Sequence, residues 1–205
     1  TDVGDFSEAN LRLLELLAEQ AAIAISNAHL HAQFSREANR DTMTGLPNRR
    51  ALDGKLERAL EQAHRTGYSF AVVMMDLDGF KMINDNYGHP VGDQVLRTLF
   101  SYLQMGVRSN DFLARYGGDE LTLVIPKSDL TIARVVTDKL LKRLKDYSFD
   151  LPDGKDAELG MSGGIALYPI HGRTPAELLR AGDQALYRAK KYNRGAFEIA
   201  SPPTG

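Results

Sequence analysis

The chain holds 205 residues, 25% of them charged, with a formal net charge of −2 and no cysteine. That describes one domain of ordinary size plus an appendage; it excludes disulfides and thiolate chemistry and suggests neither a nucleic-acid patch nor a polybasic membrane anchor. No apolar run reaches the length of a transmembrane span and no signal peptide is present, so a cytoplasmic location without membrane insertion is expected.

The chain begins at Thr1 in mid-pattern and reads as a piece of a longer protein. Phe6-Ser-Glu-Ala-Asn-Leu11 opens a helix, with Ser7 as N-cap and Phe6 and Leu11 as a hydrophobic staple. Leu11, Leu14, Ala18, Ala21, Ile25, Ala28 and Ala32 then recur at alternating helical spacings. A seam of about three heptads suits either an amphipathic helix packed on its own domain or a marginal coiled coil. His29 and His31 fall on different helix faces and make poor metal ligands. The pattern ends near Arg40. Gly45 and Pro47 then mark a turn, Asn48 can cap a helix through Leu52, Leu56, Leu60 and Ala63, and Gly67 closes it.

Ser69 to Met75 is nearly all apolar, as in a central strand covered on both faces. It runs into Asp76-Leu-Asp-Gly-Phe-Lys-Met-Ile-Asn-Asp85, where a glycine turn and a short helix gather free backbone N–H groups. Such a spot binds phosphate, although the Walker ending is absent. Asp76 by itself reads as a cap or as a metal ligand. The next helix carries Val95, Leu96, Leu99 and Leu103, and Asp93 can serve as its N-cap.

Phe112 to Ile125 reads as a hairpin. Leu121, Leu123 and Ile125 alternate with Thr122 and Val124 as in a half-buried strand, and Gly117-Gly118 permits a tight turn. Asp119 and Glu120 follow at once. Adjacent acids repel each other, so they form either a solvated hairpin tip or one half of a cation site. Should this hairpin pair with the Asp76 strand, three or four carboxylates converge in an oxygen-only cluster suited to Mg²⁺ or Mn²⁺. Asp129 to Leu144 reads as a helix with Ile132, Val136, Leu140 and Leu144 on one side. Asp150 to Gly154 is a turn and Gly160 to Tyr168 a strand. Thr174-Pro-Ala-Glu177 is a capping box that starts a helix ending among Arg188, Lys190, Lys191 and Arg194, and Phe197 to Ala200 can add a last strand. Strands and helices in this irregular order define an α+β class.

Arg115-Tyr-Gly-Gly-Asp-Glu-Leu121 resembles the signature of GGDEF domains, the diguanylate cyclases, with Leu121 where that family usually has Phe. Asp41-Thr-Met-Thr-Gly-Leu-Pro-Asn-Arg-Arg50 is similar to the family's Asp-x-Leu-Thr-Gly-Leu-Pro-Asn-Arg-Arg motif, with Met43 for Leu. Asp183-Gln-Ala-Leu-Tyr-Arg-Ala-Lys190 is similar to its Asp-x-Ala-Leu-Tyr-x-Ala-Lys helix. The first helix resembles the last helix of a GAF sensory domain. The resemblance implies two parts: residues 1–38, a signalling helix ending a truncated GAF-like domain, and residues 39–205, a GGDEF catalytic domain. It also implies a ferredoxin-like palm, shared with nucleotidyl cyclases, in which helices flank a mostly antiparallel sheet.

The implied function is condensation of two GTP into cyclic di-GMP, a bacterial second messenger, with two pyrophosphates released. By the same resemblance, Asp76, the Leu77 carbonyl, Asp119 and Glu120 hold two Mg²⁺ (or Mn²⁺) ions per active site, roughly 3.5–4 Å apart. Asp119, Glu120 and Lys81 are the implied catalytic residues. Asp78, Gly79, Phe80 and Lys81 take the phosphates, Lys190 and Arg194 grip the triphosphate, and Asn84 and Asp93 read guanine. Asn193 and Gly195 depart from the family's usual Gly-Arg-Asn ending, which leaves the aim of Arg194 open. Arg108 and Asp111 match an inhibitory Arg-x-x-Asp site for the product. A homodimer is required, since one domain holds one GTP. The other expectation from the residues is a domain without turnover that binds cyclic di-GMP or GTP.

Overall fold

The computed structural model describes residues 8–202, and the chain divides into two units, residues 1–39 and 40–205. The described residues of the first unit form one helix, α1 (Glu8–Ala38). The expected Ser7 cap and Phe6–Leu11 staple lie outside the described residues. Within α1, Leu14 and Ile25 of the seam are exposed, and so are Leu13, Leu16, Leu17, Ile23 and Leu30. The apolar surface is therefore broader than a heptad stripe.

The second unit is built on β1 (Phe70–Asp78), the middle strand of a five-stranded sheet. The other strands are β2 (Phe112–Gly117), β3 (Glu120–Pro126), β4 (Gly160–Tyr168) and β5 (Phe197–Ile199). Their order is β2-β3-β1-β4-β5. Only the β4–β5 pair is parallel. Helices cover both faces of the sheet, so β1 buries both of its own, and its uniformly apolar run meets that demand. Ala71, Val73, Met75 and Leu77 pack on one side with residues of α4 (His89–Gln104) and α5 (Leu130–Lys145). Phe70 and Val72 pack on the other with α2 (Arg49–Thr66) and α6 (Pro175–Tyr192). A short helix, α3 (Phe80–Tyr87), follows β1 directly.

Several local expectations hold. Asn48 caps α2 by accepting the Ala51 N–H at 3.1 Å, and Gly67 closes that helix in the left-handed region. Thr174 and Glu177 form the full capping box of α6. Others need correction. The alternation in β3 predicts one wet face, yet Thr122 and Val124 have no exposed surface, because helices cover both sides of the sheet. Ile132 is exposed, and Ala133 and Thr137 take the inner face of α5 beside Val136 and Leu140. Asp93 is not an N-cap. α4 begins four residues earlier, at His89, so Asp93 is an exposed residue inside the helix.

Candidate active site

The register of the sheet gathers the acids. Antiparallel pairing of β1 with β3 ends at Asp76 opposite Glu120. The β2–β3 turn, with Gly118 at φ 53, puts Asp119 immediately before Glu120. Asp76 is almost buried. Burial pushes its carboxyl up, Lys190 pulls back, Asp119 and Asp78 push up again, and the net direction is upward. Glu120 is also raised, first by burial and then by Asp76, Asp119 and Asp183. Five acids thus influence one another here, and Asp183 is one that sequence reasoning did not single out. The answering cation is Lys190, whose Nζ lies 2.6 Å from Asp76 Oδ1.

A carboxyl held above its ordinary value stabilises the fold while protonated and loses that contribution as pH rises through the shifted value. Glu120→Gln is therefore expected to raise the melting temperature of the metal-free protein. The gain should grow between about pH 4 and pH 7, the range above the usual glutamate value. Thermal unfolding at both pH values checks it. A loss of stability at pH 7 would show that Glu120 is not under repulsion.

The other predicted residues fall around the same strand end. Leu77 is buried and faces Met161 across β1–β4, so its carbonyl sits next to Asp76 in the backbone. Gly79, Phe80 and Lys81 start α3, with Gly79 as N-cap and no side chain capping the first turn. The Met82 N–H bonds the Gly79 carbonyl at 3.0 Å, no side chain caps the turn, and the helix dipole favours an anion there. Lys81 is exposed on that turn. Asp78 is engaged: its Oδ2 accepts from the Ser162 hydroxyl at 2.6 Å, and its Oδ1 lies 3.5 Å from Arg194 Nε. Lys190 and Arg194, the residues expected to grip a triphosphate, both reach the end of β1 and meet its carboxylates there.

Asn84 lies in α3 with its Oδ1 buried and without a hydrogen-bond partner. The closeness of α4 explains the burial. A Cβ on Gly92 would stand 1.9 Å from that oxygen, so the bare glycine makes room for the amide. Among the described residues, one other buried side-chain oxygen lacks a partner, Asp111 Oδ2. It sits just before β2, in a turn closed by the Asp111 N–H to Arg108 carbonyl bond at 3.0 Å. Burial raises the Asp111 carboxyl, with Arg108 and Lys55 opposing. Buried acceptors without donors are rare in native proteins, and each asks for an explanation such as a ligand. Both belong to residues that the sequence marks for nucleotide binding.

The Asp41–Arg50 motif gains a concrete contact. Asp41 Oδ1 accepts from the Thr44 N–H and hydroxyl and from Arg115 Nη1, and Arg115 Nε in turn donates to the Gly118 carbonyl. Burial pushes the Asp41 carboxyl up, but these bonds outweigh it and leave it low. The segment that opens the second unit is thereby clamped to the acidic hairpin. Leu121 is buried opposite Met75, so its departure from Phe changes a packing position and not a donor.

Among the described residues no group of three or more His, Asp or Glu side chains is arranged to hold a metal by itself. The donors here are oxygens only, and their mutual repulsion favours a cation.

The fold and this site define an α+β domain with clustered acids beside a helix start at one end of its central strand. A family model described as diguanylate cyclase, GGDEF domain, matches residues 38–196, and the chain belongs to that family. It is 39% identical over 183 residues to the bifunctional diguanylate cyclase/cyclic di-GMP phosphodiesterase MucR of Pseudomonas aeruginosa, covering 89% of this chain and 26% of that protein. To the diguanylate cyclase TpbB of the same species it is 37% identical over 192 residues, covering 93% of this chain and 43% of that one. The chain thus spans less than half the length of these curated relatives. The solved GGDEF domain of TpbB superposes with a TM-score of 0.74 at 37% identity, covering 79% of this chain and 94% of that one. The coiled coil and GGDEF domain of DgcB from Caulobacter crescentus, solved with c-di-GMP, gives 0.80 at 27% identity, covering 92% and 99%. Among the described residues no helix is long and apolar enough to cross a membrane.

Proposed function

We propose that this chain is a diguanylate cyclase domain that joins two GTP into cyclic di-GMP with release of two pyrophosphates. The observation that carries the reading is the pair of unpartnered buried acceptors, Asn84 Oδ1 and Asp111 Oδ2. Guanine carries N1–H and N2–H donors that can satisfy such an oxygen, and adenine does not carry that pair. At Asn84 the base would be substrate, with Asp93 on the next helix as the second acceptor. At Arg108 and Asp111 it would be product.

Around the phosphates, the α3 backbone and Lys81 bind the negative charge, Lys190 exchanges its carboxylate partner for phosphate oxygens, and Arg194, with Asp78 beside its Nε, turns its remaining guanidinium N–H groups to them. Asp76, the Leu77 carbonyl, Asp119 and Glu120 would hold Mg²⁺ or Mn²⁺. A divalent cation bound there would supply a lowered pKa at the attacking ribose 3′-OH and charge neutralisation at the α-phosphate. Two domains must meet, and the exposed apolar residues of α1 support a homodimer through a signalling helix of the kind that ends a GAF-like domain. The relative solved with its coiled coil is consistent with that. A second reading, a binding module without turnover, is favoured by one feature: Lys190 already occupies Asp76 Oδ1 at 2.6 Å. Purified protein incubated with GTP and Mg²⁺, followed by chromatography of the nucleotides, separates the two. Bound but unconverted GTP would favour the module.

Arg108→Ala is expected to weaken inhibition by added cyclic di-GMP by roughly 10- to 150-fold. It removes a charged, forked contact worth about 1.5–3 kcal/mol. Progress curves with and without added product read the effect. An unchanged plateau would make Arg108 an ordinary surface charge.

A further inference from the structure

β4 and the loop after α6 meet at Ser162, a residue with no exposed surface. Its hydroxyl donates to Asp78 Oδ2 at 2.6 Å and accepts the Gly195 N–H at 3.1 Å. A hydroxyl has one proton, and a carboxylate can only accept, so the direction of both bonds is fixed. The Gly163 N–H to Ala196 carbonyl bond at 3.0 Å holds the same loop to β4. α6 ends at Tyr192, so Arg194 leaves the helix on this loop, with its side chain 72% exposed. A long cation so exposed has no fixed aim of its own. Its contacts here are Asp78 Oδ1, 3.5 Å from Nε, and the backbone anchored on Ser162 through Gly195.

We propose that Ser162 is a positioning residue for the triphosphate: it fixes the Arg194 loop through Gly195 and orients Asp78, which in turn holds the guanidinium beside the end of β1. The proposal rests on the GTP-using reading above. It gives Asp78 a different part from the phosphate contact implied by its motif. A carboxylate repels phosphate, and both oxygens of this one face protein donors, so Asp78 acts on the substrate through Arg194.

The test is a comparison of the unsubstituted protein, Ser162→Ala, Arg194→Ala and the double variant. Each is read by GTP affinity in calorimetry, by KM and kcat, and by hydrogen exchange at Gly195. Ser162→Ala is expected to weaken GTP binding and raise KM about 10-fold, the scale of losing a bond to a charged group. kcat should fall less than KM rises, and the Gly195 amide should lose protection. Because Ser162 acts through Arg194, the double variant should bind GTP no worse than Arg194→Ala alone. Additive losses, or a loss of protection spread over the whole sheet, would make Ser162 an ordinary core residue and overturn the proposal. If the alanine variant does not fold, Ser162→Cys carries the same comparison with weakened bonds. Failure of the unsubstituted protein to bind GTP would sink the cyclase reading and this proposal with it. Binding that Ser162→Ala leaves unchanged would overturn this proposal alone.

Discussion

Asp76→Asn is expected to lower cyclase turnover at least about 100-fold, a barrier increase of roughly 2.7 kcal/mol. The argument starts from position. Asp76 lies near the end of the central strand, opposite Glu120, with Asp119 and Asp78 acting on its charge. An amide in that place keeps the shape but removes the negative charge that draws both Lys190 and a divalent cation. The fold should survive. Lys190 is 35% exposed and can rehydrate when its partner at 2.6 Å is lost, and Glu120 is relieved of a like charge. Steady-state turnover read beside a thermal melt separates the two effects. A folded variant within about 3-fold of the parent would remove Asp76 from the chemistry.

Gly92→Ala should have the second largest effect, although glycine 92 touches no proposed ligand. Its added Cβ would stand 1.9 Å from Asn84 Oδ1, 3.0 Å from Asn84 Cγ and 3.2 Å from Phe80 Cζ. The first two atoms belong to a short side chain that can swing away, so the helix pair survives and Asn84 loses its place. KM for GTP should rise by roughly 10- to 100-fold, and preference for GTP over ATP should shrink by a similar factor, because discrimination depends on pairing a buried polar group. Asn84→Ala should reproduce the effect, and the double variant should add little. Competition between GTP and ATP checks it. Unchanged preference in Gly92→Ala would show that the Asn84 oxygen does not read the base.

Much of this site was legible before any coordinates, because its signals are local. The strand run ending at Asp76, the double glycine before Asp119 and the Thr174–Glu177 box are short patterns whose chemistry acts within a few residues. The contacts that finish the site are not local. Ser162 meets Asp78 across 84 positions, and Arg115 meets Asp41 across 74. A serine in a buried strand breaks no periodicity, so nothing in the chain marks it as an anchor. Asp183 reads as a surface helix residue until α6 is laid over the sheet. The errors have the same origin. Alternation in β3 predicts a wet face only if one side of the sheet stays open. Asp93 looks like a cap only if the helix starts beside it, whereas His89-Pro90 opens α4 one turn earlier.

The unpartnered oxygens and the raised acids support the proposed reaction, and ³¹P NMR of the protein with GTP and Mg²⁺ tests it directly. The account predicts two pyrophosphates released for each cyclic dinucleotide formed, with both signals abolished by chelating the metal and reduced at least about 100-fold in Asp76→Asn. GTP that binds and stays intact, or conversion at an equal rate in Asp76→Asn, would contradict it.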